Sequence, residues 1–437
     1  MPALPSGPIR NAGSDQDNRQ DDPRKFMSLE PSTRPIAGPA DFARDLSAEN
    51  AVNALVAFAF SISGPVAVIL AVTARAGLSE AQAASWLFGA FFINGFLSIA
   101  FCAAYRQPLV FFWTIPGTVL VGPALAHASF NDVVGAFLIT GLLMLVLGLT
   151  GVVRRVMDAV PMPIVMGMVA GVFLPFGLDW VRAFESDLPI ALSMTVTFLA
   201  LSALPAVAMR LPPLIVAMVV GVVAIALTRT GTLPPIDSST VFAAPVFVVP
   251  HFNAATLVEL VVPLAITVLV VQNGQGIAVL RSTGHAPPVN AIGAACGLWS
   301  IFAGLVGTVS TCLTGPTNAI LSTGRDKSTH YAAGILVGLL ALVFGLFSPL
   351  FTKLLLATPP AFIATLAGLA MLRVLQGAFS TAFQGAFGIG ALVAFLVTVS
   401  GIAMAGIGAP FWGLVFGTLV SRIMERADFA ARTAPRN

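Results

Sequence analysis

Residues 141–149 read Gly-Leu-Leu-Met-Leu-Val-Leu-Gly-Leu, and residues 338–346 read Gly-Leu-Leu-Ala-Leu-Val-Phe-Gly-Leu, identical at seven of nine positions. Leucine-rich nine-mers coincide by chance, so the pair counts only in company. The same ungapped offset of 197 residues also pairs Pro163 with Pro360, Ala170 with Ala367 and Gly171 with Gly368. Slightly upstream, Thr114-Ile-Pro116 parallels Thr314-Gly-Pro316. The chain contains an internal repeat.

Of 437 residues, 57% are hydrophobic and only 9% are charged, against about 25% charged in an average soluble domain. Too little charge is present to cover a soluble surface of this size, and a net charge of +3 implies no polyanion partner. This composition excludes a soluble enzyme, a nucleic-acid binder and a disordered regulator. Cys102, Cys296 and Cys312 form no CxxC and lie in apolar runs, so neither a disulfide framework nor a zinc site is expected. Residues 1–49 are polar and Pro-, Asp- and Arg-rich, without the apolar stretch of a signal peptide, and are expected to be a disordered cytoplasmic tail. Met27 is an alternative start within it. Residues 426–437 are expected to be a second polar tail.

A bilayer core of about 30 Å needs about 20 apolar residues per helix. The segment from Asn50 to Met424 then holds about fourteen crossings, expected near 50–75, 81–104, 110–128, 132–153, 158–178, 188–208, 211–229, 254–280, 290–308, 311–323, 330–352, 359–375, 385–404 and 408–425. Basic residues agree with that count. With the N-terminus cytoplasmic, inner loops hold Arg106, Arg154, Arg155, Arg210, Arg281, Arg325, Lys327 and Arg373, and outer loops hold Arg75, Arg182, Arg229 and Lys353. The repeat relates spans 3, 4 and 5 to spans 10, 11 and 12. A displacement of seven spans is odd, so the halves (50–230 and 254–425) have opposite orientation. The expected fold is an all-α integral membrane protein, a seven-plus-seven inverted repeat of the secondary-transporter kind.

Spans 3 and 10 are too short and too interrupted by Pro and Gly to cross as ordinary helices. In Thr114–Thr118 and Thr314–Asn318, Thr, Pro and Gly cluster before an apolar run, as at a helix N-terminus. Such half-helix ends suit an anion near the midplane. Pro-kinked membrane helices are the plainer reading, but they do not explain why both segments are short and hydroxyl-rich. Gln272-Asn-Gly-Gln-Gly276 and Ser61-Ile-Ser-Gly-Pro65 add polar groups at membrane depth, either as ligands or as interhelical hydrogen-bond glue. The candidate substrate-binding residues are Gln272, Asn273, Ser63, Thr114, Gly117, Thr118, Thr311, Thr314, Thr317 and Asn318. Spans 5 and 12 carry Gly167, Ala170, Gly171, Ala364, Ala367 and Gly368, expected as a close-approach surface on which helices slide.

The run from Gln272 to Arg281, the Gly-His-x-Pro-Pro stretch after it, and the Val-Pro-x-Pro and Leu-Ala-Gly-Leu-Ala segments of spans 5 and 12 resemble the bacterial benzoate:proton symporters of the BenE type. That family is distantly similar to nucleobase–ascorbate, sulfate and bicarbonate transporters. The resemblance implies a core domain (spans 1–4 with 8–11) moving against a gate domain (spans 5–7 with 12–14). It places Gln272 where nucleobase carriers have a span-8 glutamate. Thr311-Cys-Leu313 departs from the Gly-x-Asn-Leu often found in span 10.

No Asp or Glu lies mid-membrane; Glu259 sits roughly 19 Å along its helix from Gln272. Arg373 reads as a positive-inside anchor at the inner end of span 12. A carboxylate substrate is expected to bring its own proton. The functional expectation is a multi-pass inner-membrane carrier, both termini cytoplasmic, importing benzoate or a similar aromatic carboxylate with protons by alternating access. Alternatives are a proton-coupled nucleobase or other organic-anion carrier of the same fold, and an anion channel. No HExxH or Ser/His pair lies at membrane depth, so no enzyme, cofactor or metal is expected. The partners are the small-molecule acid, the proton and the lipid bilayer; a homodimer through the gate domain is left open.

Overall fold

A computed structural model describes residues 29–32, 34–153, 161–208, 212–228, 241–405 and 407–433. Most of the expected N-terminal tail, together with Arg154, Arg155, Arg210 and Arg229, lies outside the described residues.

The first half runs α1 (Pro39–Asp45), α2 (Ala48–Ile62), α3 (Gly64–Arg75), α4 (Glu80–Phe88), a π-helical turn (Gly89–Ile93), α5 (Asn94–Tyr105), β1 (Phe111–Trp113), α6 (Ile115–Ala124), α7 (Phe130–Leu149), α8 (Met162–Ser186), α9 (Leu188–Ser202), α10 (Pro205–Ala208) and α11 (Pro213–Thr228). The second runs α12 (Ala254–Ile266), a π-helical turn (Thr267–Gln272), α13 (Asn273–Ser282), α14 (Val289–Leu305), β2 (Thr311–Leu313), α15 (Gly315–Leu321), α16 (His330–Leu346), α17 (Ser348–Leu356), α18 (Pro360–Phe383), α19 (Gly388–Ser400), α20 (Ala409–Met424) and α21 (Arg426–Thr433). Among the described residues, six helical segments are long and apolar enough to cross a membrane, and α16 with α17, bent by 66°, make a seventh. Every expected span except the tenth overlaps one of these segments or a shorter apolar helix; residues 311–323 hold β2 and the seven-residue α15. Sequence chemistry starts several of them: Ser79 with Gln82 and Ser129 with Asp132 form capping boxes, and the Asn253 side chain accepts from the first turn of α12.

The repeat is visible in the packing. α5 packs on α16 as α14 packs on α7, and α9 packs on α11 as α19 packs on α20. The matched nine-mers mark these crossings. A Cβ on Gly141 would lie 2.9 Å from the Gly297 carbonyl, and one on Gly338 would lie 3.0 Å from that of Gly95. Only glycine permits backbones so close.

At the centre, β1 and β2 form an antiparallel pair with Phe111 opposite Leu313, Phe112 opposite Cys312 and Trp113 opposite Thr311. The pairing continues through Thr114 N to Ser310 O (3.0 Å) and Thr314 N to Val110 O (3.1 Å). Related by an offset of 200, the Phe112–Cys312 pair maps onto itself, so a local two-fold passes through it. These extended residues were expected inside helical spans. The helices that follow, α6 and α15, have ten and seven residues, far short of a 30 Å crossing at 1.5 Å per residue. Spans 3 and 10 are therefore half-helices whose starts face each other across the pair.

The expected tails need correcting. Within residues 29–49 the chain forms α1 and is tied down. The Glu30 carboxylate accepts from Asn290 N and Ala291 N (3.1 and 3.0 Å), capping α14, which has no side-chain cap of its own. Arg106 binds Asp41 at 2.7 Å, and Tyr331 Oη donates to Asp45 at 2.6 Å. Polar composition alone does not make a tail when buried helix ends need its carboxylates. At the other end α21 is helical, and Asp428 accepts from Phe387 N at 2.8 Å.

The small-residue surface also needs correcting. A Cβ on Gly171 would meet Thr398 of α19 at 2.8 Å, one on Gly167 the Ala391 carbonyl of α19 at 2.2 Å, and one on Gly368 Trp180 of α8 at 2.3 Å. These glycines bind α8, α18 and α19 to one another rather than to the other helices. A close contact between the expected core and gate helices is made elsewhere: a Cβ on Gly64 of α3 would lie 2.0 Å from Ala370 Cβ of α18.

Candidate functional site

A cavity of about 540 Å³ lies between the β1–β2 pair with its half-helices on one side and α8 with α18 on the other. The π turn at Thr267–Gln272 ends at its wall. Such turns add a residue to a helix and rotate every side chain beyond the insertion, and they are frequent at functional sites. Gln272 is buried, 7% exposed, and its carboxamide makes no hydrogen bond to another described residue. Gln275 comes three residues later on the same helical face. Its side chain packs against Gly315, where an added Cβ would meet Gln275 Cγ at 2.7 Å.

Of the expected site residues, Gln272, Thr314 and Thr317 line the cavity. The other seven do not. Asn273 Oδ1 accepts from Leu313 N at 2.8 Å, and Asn318 Oδ1 accepts from Val110 N at 3.0 Å. Both amides satisfy backbone at the ends of the central strands, which buried N–H groups require. Thr311 Oγ1 bonds Asn94 (2.8 Å), and Ser63 Oγ donates to Phe60 O (2.9 Å). Thr118 Oγ1 donates to Thr114 O (3.0 Å), and Gly117 N donates to Thr114 Oγ1 (3.2 Å). Gly117 is small because a Cβ there would lie 2.2 Å from Thr114 Cγ2.

The two half-helix ends thus differ. Thr114 caps α6 with its own side chain, whereas Thr314 turns its hydroxyl to Val110 O and leaves α15 without a side-chain cap. The polar end of the cavity gathers on the α15 side, where Thr317 Oγ1 lies 3.1 Å from Ser61 Oγ.

Sequence reasoning missed Gln275, Thr381 and the aromatic walls (Phe60, Phe112, Trp113 and Phe173), and it misread Arg373. Arg373, Gly377 and Thr381 all line the cavity at a spacing of four, one face of α18. That helix was expected to stop at residue 375 but continues to Phe383, so Arg373 lies well inside it. The spacing was the available signal. Trp113 Nε1 is buried without a hydrogen-bond partner among the described residues.

Phe112, Trp113, Pro116 and Thr317 on the wall are buried, while Gln275, Ala278, Pro316, Arg373, Gly377 and Thr381 are exposed. The cavity therefore opens on the face where α8 begins and α13 and α18 end. On the opposite face, Arg75 of α3 pairs with Asp179 of α8. There too, Glu259 of α12 is hydrogen-bonded to His127 at 2.9 Å and packs on Gly408, the N-cap of α20. An apolar cavity with a few convergent polar groups is the form of a small-molecule site.

A family model described as BenE, benzoate membrane transport protein, matches residues 45–423. The chain belongs to the BenE family. The inner membrane protein YdcO of Escherichia coli (strain K12) is 30% identical over 355 residues, 80% of this chain and 89% of that protein. A benzoate membrane transport protein of Acinetobacter baylyi (strain ATCC 33305 / BD413 / ADP1) is 29% identical over 391 residues, covering 87% and 96%. The transmembrane domain of a cyanobacterium bicarbonate transporter, BicA, superposes with a TM-score of 0.55 at 18% identity, covering 90% of this chain and 98% of that one. That likeness shows a fold shared with a bicarbonate transporter's transmembrane domain. The BenE chain is a multi-pass membrane transporter and not an enzyme.

Proposed function

We propose that the protein imports benzoate or a similar aromatic carboxylate together with protons, by alternating access across the inner membrane. In this reading there are fourteen crossings and both termini are cytoplasmic. The observation that carries it is the composition of the cavity wall. Among the described residues it holds one cation, Arg373, two carboxamides, Gln272 and Gln275, and aromatic faces from Phe60, Phe112, Trp113 and Phe173. A carboxylate leaving water needs a charge-assisted partner, and the guanidinium fork supplies one. A flat apolar ring gains by burial against the aromatic wall. An inorganic anion would leave that wall unused. The face carrying Arg373 is then the cytoplasmic one, and the described conformation is inward-open.

The test is uptake of a labelled aromatic panel into proteoliposomes, with and without an imposed pH gradient. Benzoate-like acids are expected to saturate, to compete with one another and to respond to the gradient, while the neutral isostere benzamide is not carried. Equal handling of benzoate and benzamide would remove the carboxylate from the reading.

A further inference from the structure

Of the hydroxyls on the cavity wall, that of Thr381 is near the mouth, and those of Ser61, Thr314 and Thr317 stand where α2 meets the start of α15. A hydroxyl has one hydrogen and two lone pairs, so the place of each hydrogen fixes what is left for a ligand. Ser61 Oγ donates to Ala57 O at 2.9 Å, one turn back along α2. Thr314 Oγ1 donates to Val110 O at 2.9 Å. Thr317 Oγ1 lies 3.1 Å from Ser61 Oγ. The Ser61 hydrogen is already given to Ala57, so Thr317 is the donor in that contact. All three hydrogens are committed inside the protein, and lone pairs are what these hydroxyls offer the cavity.

Ser61 and Thr317 are 3% and 2% exposed, so packing fixes both the position of this acceptor and the direction of its hydrogen. A carboxylate cannot be its partner, because a carboxylate has only lone pairs of its own. The start of α15 has no side-chain cap, so backbone N–H groups there remain to donate. A ligand group that donates and accepts at once therefore fits this end best, and a phenolic hydroxyl does both. The carboxamides of Gln272 and Gln275 can donate or accept and do not impose that choice. Arg373 belongs to α18, on the other side of the cavity.

We propose that the α2–α15 end of the cavity is a subsite for a ring hydroxyl, so that the preferred cargo is a hydroxylated aromatic carboxylate rather than benzoate itself. The carboxylate pairs with Arg373, the ring lies against the aromatic wall, and the hydroxyl donates to Thr317 Oγ1. A volume of about 540 Å³ leaves room beyond a single ring and its carboxylate, since such volumes house drug-sized ligands. An ortho hydroxyl closes an internal hydrogen bond with its own carboxylate, so only meta and para hydroxyls are free to reach Thr317.

The subsite rests on the carboxylate reading, and its test separates the two. Dissociation constants are measured by titration calorimetry on the detergent-solubilised full chain. The compounds are benzoate, its ortho-, meta- and para-hydroxy and meta- and para-methoxy derivatives, benzamide, and meta- and para-hydroxybenzamide. At a fixed head group, a meta or para hydroxyl is expected to tighten binding about 2- to 12-fold over the plain ring, the net worth of one hydrogen bond. The matching methoxy compound, which cannot donate, and the ortho isomer gain nothing. In Thr317→Val the hydroxyl-to-plain ratio is expected to fall to about one, and Thr317→Ser restores it. A parent that prefers neither hydroxyl, or prefers methoxy equally, overturns the subsite, as does a ratio that survives Thr317→Val. If Thr317→Val does not fold, the hydroxy-against-methoxy comparison in the parent decides. Equal binding of benzoate and benzamide with the hydroxyl ratio intact removes the carboxylate and leaves the subsite standing. Preference for benzoate over benzamide with no hydroxyl ratio does the reverse.

Discussion

Gln272 and Asn273 are chemically alike and adjacent, yet one faces the cavity and the other completes the β2 backbone. Their substitutions separate accordingly. Gln272→Ala removes one partner from a buried polar contact, a loss of about 1–3 kcal/mol, and benzoate affinity measured by competition is expected to fall about 5- to 150-fold with the protein still folded. Asn273→Ala is expected to lower the yield of folded protein instead. Gln272→Glu is expected to be worse than alanine at neutral pH, because a second carboxylate repels the anion in a low-dielectric site, with the defect shrinking as the pH falls and the new group protonates. Transport by Gln272→Glu equal to the parent's at pH 7.5 would place the anion elsewhere. Arg373→Gln removes a hydrogen bond to a charged group, about 1.5–3 kcal/mol, and is expected to weaken benzoate-like acids while leaving the weak binding of neutral benzamide unchanged. Composition cannot divide such residues between ligand and backbone. Asn273 and Asn318 are paired with the backbone of Leu313 and Val110, and each partner lies far away in sequence.

Element by element, the apolar runs are legible because each crossing must be long and uncharged, and the half-helices because Pro and Gly cannot continue one. The π turns are not, since an inserted residue in an apolar helix leaves no compositional trace. Glycine spacing gives the location of a close approach but not which helix makes it. Gly171 and Gly368 were expected at a sliding surface and instead hold α8, α18 and α19 together, while Gly64 meets Ala370 across the two groups. The outcomes diverge. Gly368→Leu drives a side chain into Trp180 and the Phe176 carbonyl, and is expected to lower the melting temperature and the folded yield. Gly64→Ala adds one methyl at the crossing between groups, and is expected to slow benzoate exchange while moving the melting temperature less than Gly368→Leu does. The reverse ranking, read by thermal scanning beside exchange rates, would return the sliding surface to α8 and α18.

Across the whole molecule, the face around the cavity mouth is tied together by side chains from distant parts of the chain, and part of that network titrates. His285, in the turn between α13 and α14, has Nε2 3.1 Å from His330 Nδ1 at the start of α16. Burial, and after it the nearby charges of His330 and Lys327, bring its pKa from 6.5 down to about 4. The folded protein therefore binds fewer protons than the unfolded chain between those values. The contribution is complete above about 6.5 and is lost as the pH falls toward 4. The melting temperature of the detergent-solubilised protein is expected to drop across that window, and less steeply for His285→Asn.

The central ladder joins residues 111–113 to residues 311–313, and no nearer stretch of chain completes it. During synthesis, at about 5–20 residues per second, β1 enters the membrane roughly 10–40 s before its partner exists. For that interval the backbone groups that it will pair with β2 lie in the apolar slab with nothing opposite them, a condition the bilayer penalises severely. Biogenesis of this carrier therefore includes a waiting state, and whatever shelters β1 meanwhile must let go when β2 arrives. Arresting translation just before residue 311 should yield a chain that the quality-control proteases of the membrane degrade, and release a few dozen residues later should spare it.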